Sequence, residues 1–137
     1  MADVKFIDNT VKVINAIEER SEAVLEEVAG ELESQVKRNT RVRSGKTKNS
    51  WQHKVNREGT ECTATIGSNY ENTIWEEFGT GEYALQGNGR KGGWFYVDEK
   101  GDGHFTHGKK PSRALFNAYT SLKSWIINHI QDRFKGL

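Results

Sequence analysis

The sequence predicts an α+β fold: a long N-terminal helix, a small antiparallel sheet of two hairpins, and a C-terminal helix packed on the sheet. Three features carry this expectation. Apolar residues recur at three- and four-residue steps from Asp8 to about Asn39, a second such run follows Pro111, and between them lie short alternating segments punctuated by glycine. The chain has 137 residues, the size of one domain, here 1–137, with 1–39 helical, 40–111 β-rich and 112–137 forming the C-terminal helix.

The first helix rests on Val11, Ile14, Ile17, Val24 or Leu25, Val28, Leu32 and Val36, with Asp8 or Thr10 available as a cap. Thirty residues would extend ~45 Å, against a radius of gyration near ~14 Å for a compact chain of this length. Such a helix must bend, break or protrude, and Gly30 and Ser21 are its weak points. Ser50 to Val55 and Glu61 to Ile66 then read as a hairpin around Asn56 to Thr60, with Cys62, Ala64 and Ile66 on a dry face. Tyr70, Ile74, Trp75 and Phe78 suit a short helix that turns its aromatic side to the sheet and stops at Gly79.

Segment 79–93 holds Gly79, Gly81, Gly87, Gly89, Gly92 and Gly93 and reads as a long loop that orders on meeting a partner, Tyr83 and Leu85 making the contact. Trp94 to Val97 and His104 to Thr106 form the second hairpin across Asp98 to Gly103. Pro111 and Ser112 open the last helix, whose stripe includes Leu115, Tyr119, Leu122, Ile126 and Ile130. The expected core contains Ile66, Trp75, Phe78, Trp94, Tyr96, Leu122 and Ile126.

Hydrophobic residues make up 34% of the chain, so the core is modest. Cys62 is the only cysteine, which excludes an intramolecular disulfide and a cysteine metal cluster within one chain. Met1 to Phe6 lacks a signal pattern, and no apolar run approaches the ~20 residues of a membrane span. The expected location is the cytoplasm.

The net charge of +1 conceals a segregation. Acids crowd Glu18 to Glu33, whereas Lys37 to Arg57 contains Lys37, Arg38, Arg41, Arg43, Lys46, Lys48, Lys54 and Arg57 with no acid. Such a run meets acidic protein, meets phosphate or stays solvated, and pairing with the acidic helix is the simplest outcome.

Candidate chemistry fails on context. Gly87-Asn-Gly89-Arg-Lys-Gly92 follows no strand and opens no helix, so it is no dinucleotide loop, and Gly45-Lys46-Thr47 has Thr40 where a phosphate loop needs glycine. Asp98 to Gly103 has the rhythm of a calcium loop, but Lys100 and Lys109 occupy ligand positions. His104 and His107 would point to opposite faces of a strand. Glu76 and Glu77 are adjacent on one turn and point apart, and Cys62 lies on a dry face where a thiol is inert. No catalytic residues, cofactor or metal are expected, and Trp51, Trp75, Trp94 and Trp125 read as core or subunit interface.

Three separated segments resemble the tail-completion family of long-tailed phages, whose members are also described as minor capsid, neck or head-tail joining proteins. Arg41-Val-Arg43-Ser44-Gly45-Lys46-Thr-Lys48-Asn-Ser50 resembles its basic-glycine-basic element. Trp75-Glu-Glu77-Phe78-Gly79-Thr80-Gly81 resembles its Glu-Phe-Gly-Thr-Gly signature. Gly93-Trp94-Phe-Tyr-Val and Phe105 through Pro111 resemble its closing block, after which Ser112-Arg113-Ala114-Leu115 departs from the second proline and Phe-Leu common in the family.

The resemblance implies a structural virion protein rather than an enzyme, acting in tail completion and head-to-tail joining as a neck or tail-end ring subunit. Its implied partners are other copies of itself, connector or head-closure proteins, and tail-tube or tail-terminator proteins, near DNA in the channel. Arg41, Arg43, Lys46 and Lys48 would form a basic assembly rim. The alternative is a nucleic-acid-binding accessory protein using 37–57, and a metal-dependent nuclease is a third reading for which no ligand set assembles.

Overall fold

The computed structural model describes residues 7–43 and 45–136. The order is α1 (Thr10–Asn39), α2 (Lys46–Ser50), β1 (Trp51–Glu58), β2 (Glu61–Ser68), α3 (Asn72–Phe78), a 3-10 turn (Gly81–Tyr83), β3 (Trp94–Val97), β4 (Gly103–Thr106) and α4 (Ala114–Arg133). The α+β class holds. The hairpins form two separate two-stranded sheets.

Helix α1 runs through Gly30 without a break. Asp8 accepts the backbone N–H of Thr10 at 2.9 Å, satisfying one orphan donor of the first turn. The hydrogen bond from the Thr10 hydroxyl, and then that from its N–H, hold the Asp8 carboxyl below its usual range. Val24, Val28, Ala29 and Val36 are the buried positions of the stripe, while Val11, Ile14 and Ile17 are exposed. The helix therefore resolves its excess length by protruding at its N-terminus.

Helices α1 and α4 lie antiparallel. Arg20 Nη1 donates to the carbonyl of Arg133 at one end (2.7 Å), and Asn39 Nδ2 donates to that of Ala114 at the other (3.2 Å). The β1–β2 hairpin packs against α1, and the core forms where all three meet: Val36, Trp51, Ala114 and Ala118, flanked by Leu32, Ile66 and Leu115. Trp51 is 4% exposed, and its indole N–H donates to Thr40 Oγ1 at 3.0 Å, so the polar end of the largest core side chain is satisfied.

Strands β1 and β2 are longer than the sequence suggested. Glu58 pairs with Glu61, which leaves only Gly59 and Thr60 in the turn, and Gly59 at φ 59° supplies the left-handed residue that a two-residue hairpin of this kind needs. Cys62, Ala64 and Ile66 are half-buried and alternate with exposed Glu61, Thr63 and Thr65, as their alternation predicted.

Three expectations are corrected. Trp75, Phe78 and Tyr96 are exposed, and Ile66, Trp94, Leu122 and Ile126 are only half-buried. Helix α3 turns Thr73 and Glu77 inward, not its aromatic side. Thr73 joins a hydroxyl cluster, with Ser68 Oγ 2.9 Å from its Oγ1 and donating to Ser50 Oγ at 2.6 Å. The last helix begins at Ala114 rather than at Pro111 or Ser112, because Arg113 sits in the left-handed region at φ 55° and interrupts the helical backbone there.

The segregated charges pair within the chain. Arg57 meets Glu22 at 3.5 Å, Lys37 meets Glu33 at 3.3 Å and Arg38 meets Glu31 at 3.2 Å. His53, on β1, lies between Glu26 and Glu33, its Nδ1 2.6 Å from Glu33 Oε2 and its Nε2 on Glu26. The hydrogen bond to Glu26, then that to Glu33, raises its pKa above 6.5. For Glu33, burial pushes upward, but hydrogen bonds from His53 and Lys37 prevail and lower its pKa.

Candidate functional site

The signature residues come together in one clasp between α3 and the start of α4. Glu77 leaves the end of α3 and caps α4: the N–H groups of Leu115 and Phe116 donate to its Oε2 and Oε1 at 3.0 and 3.1 Å. It is 7% exposed, and the positive end of the helix dipole stabilises its charge. No local side chain caps α4, so a residue 38 positions upstream of Leu115 takes that role.

Beyond Glu77 the contact is made by backbone. Gly79, at φ 77°, leaves no room for a side chain: a Cβ there would lie 2.8 Å from the Tyr83 carbonyl oxygen, 2.9 Å from that of Lys109 and 2.9 Å from Pro111 Cδ. A Cβ on Gly81 would collide with the His107 carbonyl oxygen and lie 2.8 Å from Trp94 Cζ3. Thr80 bridges the two segments, its N–H donating to the Lys109 carbonyl at 2.9 Å and its Oγ1 accepting the Lys109 N–H at 2.8 Å. Gly108, at φ 122°, fits against Thr80 only because it too lacks a Cβ. Glu77, Phe78, Gly79, Thr80, Gly81, Trp94 and Pro111 thus share one neighbourhood.

Segment 79–93 is consequently not a bare loop. Leu85 N–H donates to the Phe78 carbonyl at 3.0 Å, Glu82 N–H to His107 at 2.9 Å, and Gly92 N–H to the Glu82 carboxylate at 3.2 Å. The glycines serve close backbone approach, which is a different use from flexibility. Tyr83 and Leu85 remain exposed on this support, with the Lys110 ammonium 5.7 Å from the Tyr83 ring centre.

Glu76 points the other way from Glu77. It holds Arg41, whose Nη2 is 2.9 Å from its Oε2 and donates also to the Lys110 carbonyl at 2.9 Å, and it pairs with Lys109. Arg41 therefore belongs to the clasp. Arg43 is exposed, Lys46 opens α2 and Lys48 is half-buried within it, while Ser44 lies outside the described residues.

The aromatic side of α3 faces α4 across an open apolar groove of about 740 Å³, lined by Tyr70, Ile74 and Phe78 on one side and Leu115, Phe116 and Tyr119 on the other. Ile74 and Phe116 are each 52% exposed. The Arg113 guanidinium sits 4.4 Å from the Phe116 ring centre and 5.7 Å from that of Phe78, closing one end. The groove escaped the sequence reading because its residues fit a helical core pattern equally well.

In the second hairpin, Asp98 accepts the N–H groups of Lys100 and Asp102, both at 2.9 Å, and His104 Nε2 lies 2.8 Å from its Oδ2. His104 foremost, then the Asp102 N–H, lowers the Asp98 pKa. These bonds fix the turn. His104 stacks on Tyr96, whereas His107, beyond β4, lies 3.4 Å from Glu82. Among the described residues no group of three or more histidine, cysteine or acidic side chains is placed to hold a metal ion, and no helix is long and apolar enough to cross a membrane.

The architecture is a small α+β domain in which residues 77–81 build a clasp rather than a pocket. A family model described as "Bacteriophage HK97-gp10, putative tail-component" matches residues 5–84, from α1 through the 3-10 turn. The chain belongs to this HK97-gp10-like family of phage tail components, and as a tail component it is associated with the virion and with other virion proteins. No curated protein and no solved structure matches it.

Proposed function

We propose that this chain acts in tail completion and head-to-tail joining, as a subunit of a ring at the neck or tail end, with no catalytic turnover. Its membership of a tail-component family carries the reading. Support comes from the distribution of apolar side chains, which stand exposed in the α3–α4 groove, along the protruding end of α1 and on the second hairpin at Phe95 and Phe105. Large apolar patches on a small domain mark surfaces that other proteins cover.

Particles made without this protein should accumulate separate heads and tails, and adding the purified chain should restore joined, infectious particles. Joined particles in its absence would overturn the reading. Binding of duplex DNA by segment 37–57 would instead weaken steeply with salt, at about 0.9 in the log–log slope per phosphate contact.

A further inference from the structure

Besides Phe95 and Phe105 on the second hairpin, two apolar surfaces have nothing packed on them among the described residues, and they lie toward opposite ends of α4. The first is the start of α1. Within α1, Val11 and Ile14 stand three residues apart and Val13 and Ile17 four, which places them on one side of the first turns; Ile7 lies just before the helix, and all five are exposed. They precede Arg20, which marks the end of α4 through its bond to Arg133. An isolated stretch of this length is marginal as a helix in water, so its exposed stripe calls for a surface from elsewhere. The second surface is the groove beside Phe116 and Tyr119, at the other end of α4.

The 20 residues of α4 separate the two by ~30 Å. The stripe of one chain therefore cannot enter the groove of the same chain. We propose that the N-terminal stripe of α1 in one copy seats in the α3–α4 groove of the next copy, a head-to-tail contact between identical chains. The proposal rests on the ring-subunit reading and names its interface.

Other occupants explain less. Stripe against stripe would leave the groove empty, and a helix of another tail protein in the groove would leave the stripe bare. The head-to-tail contact covers both with one interface per copy. Anchors at three- and four-residue steps, as Val11 with Ile14 and Val13 with Ile17, are what a helix presents to an apolar groove. Because the two surfaces differ, the contact is heterologous, and repetition closes a ring when the rotation per subunit permits it.

The test uses the full chain carrying Cys62→Ser, with Val11→Cys in one preparation and Ile74→Cys in another, treated with a short bismaleimide. Mixing the two should give covalent dimers containing one chain of each kind. Neither should link alone, and a chain carrying both substitutions should give a ladder of multimers. Val11→Asp with Ile14→Asp should raise the concentration for half-assembly at least tenfold and leave the melting temperature of the monomer nearly unchanged.

Native mass and the copy number in particles separate the two ways of failing. An oligomer by native mass in which the mixed preparations do not link, or in which Val11→Cys links to itself, overturns the interface and leaves the ring reading standing. A monomer at every concentration with one copy per particle overturns both.

Discussion

The helical body and the clasp hold themselves together by opposite means. In the body, side chains do the packing: Val24, Val28 and Val36 from α1, Trp51 from β1, and Ala114 and Ala118 from α4. In the clasp the side chains are missing where the segments cross, and Gly79, Gly81 and Gly108 let carbonyls approach to where a Cβ would stand. One region is stabilised by apolar surface removed from water, the other by directional hydrogen bonds that only a bare backbone can reach. A volume change should therefore damage the first in proportion to atoms removed and the second in proportion to atoms added.

Trp51→Ala tests the first half of that contrast and should have the largest effect, a loss of about 3–5 kcal/mol read from urea unfolding. Gly81→Ala adds a single methyl yet should cost about 2–3 kcal/mol, because the backbone is left-handed and the His107 carbonyl cannot retreat. If Gly81→Ala melts like the parent, the clasp is not rigid. Hydrogen exchange would then show amides 80–92 exchanging as fast as a free loop, the behaviour first expected of them.

Glu77→Ala removes the acceptor for two helix N–H groups and should cost about 2 kcal/mol, with Glu77→Gln recovering part of it. Gly30→Ala reverses the sign. A Cβ there would meet only His53 Cε1 at 4.0 Å, an ordinary contact, so the substitution should stabilise α1 by about 1 kcal/mol.

The smallest effect is on pH dependence. His53 has its pKa raised from 6.5, so its contribution is fully present below pH 6.5 and is lost as pH rises through the raised value. Glu27, lowered by Arg133 and then His129, and Glu33 work the other way, losing their contributions as pH falls below the usual carboxylate value of 4.5 through their folded pKa. Stability should peak between these limits, and His53→Gln should flatten the alkaline side of the curve and, because Glu33 loses the hydrogen bond from His53, soften the acid side as well.

The same contrast explains what could be read in advance. Helices α1 and α4 and both hairpins announce themselves by apolar period, because their stabilisation is written in residue types. Helix α2 does not, since Lys46 to Ser50 is polar throughout and follows a left-handed Gly45. The inward face of α3 misled for a related reason: Ile74, Trp75 and Phe78 look like a core face, but Thr73 finds hydroxyl partners in nearby Ser68 and in Ser50, and Glu77 finds its partners at the distant α4 N-terminus. The signature residues were found through resemblance, whereas their use in the clasp could not be, since a glycine does not say which carbonyl will occupy its empty side. Of the proposed assembly residues, Arg41 is tied to Glu76, while Tyr83 and Leu85 stand exposed.

Helix α4 has a further peculiarity in the origin of its end caps. Its first turn is closed by Glu77 and its last carbonyls by Arg20, both supplied by segments that precede it in the chain. During synthesis those segments leave the ribosome first. The final helix thus emerges onto a surface that already offers its two end partners, and a peptide of 114–133 alone should fray from both termini. Truncation before Ala114 would leave the Glu77 carboxylate without its two helix N–H donors, which makes completion of the chain itself the step that settles the clasp.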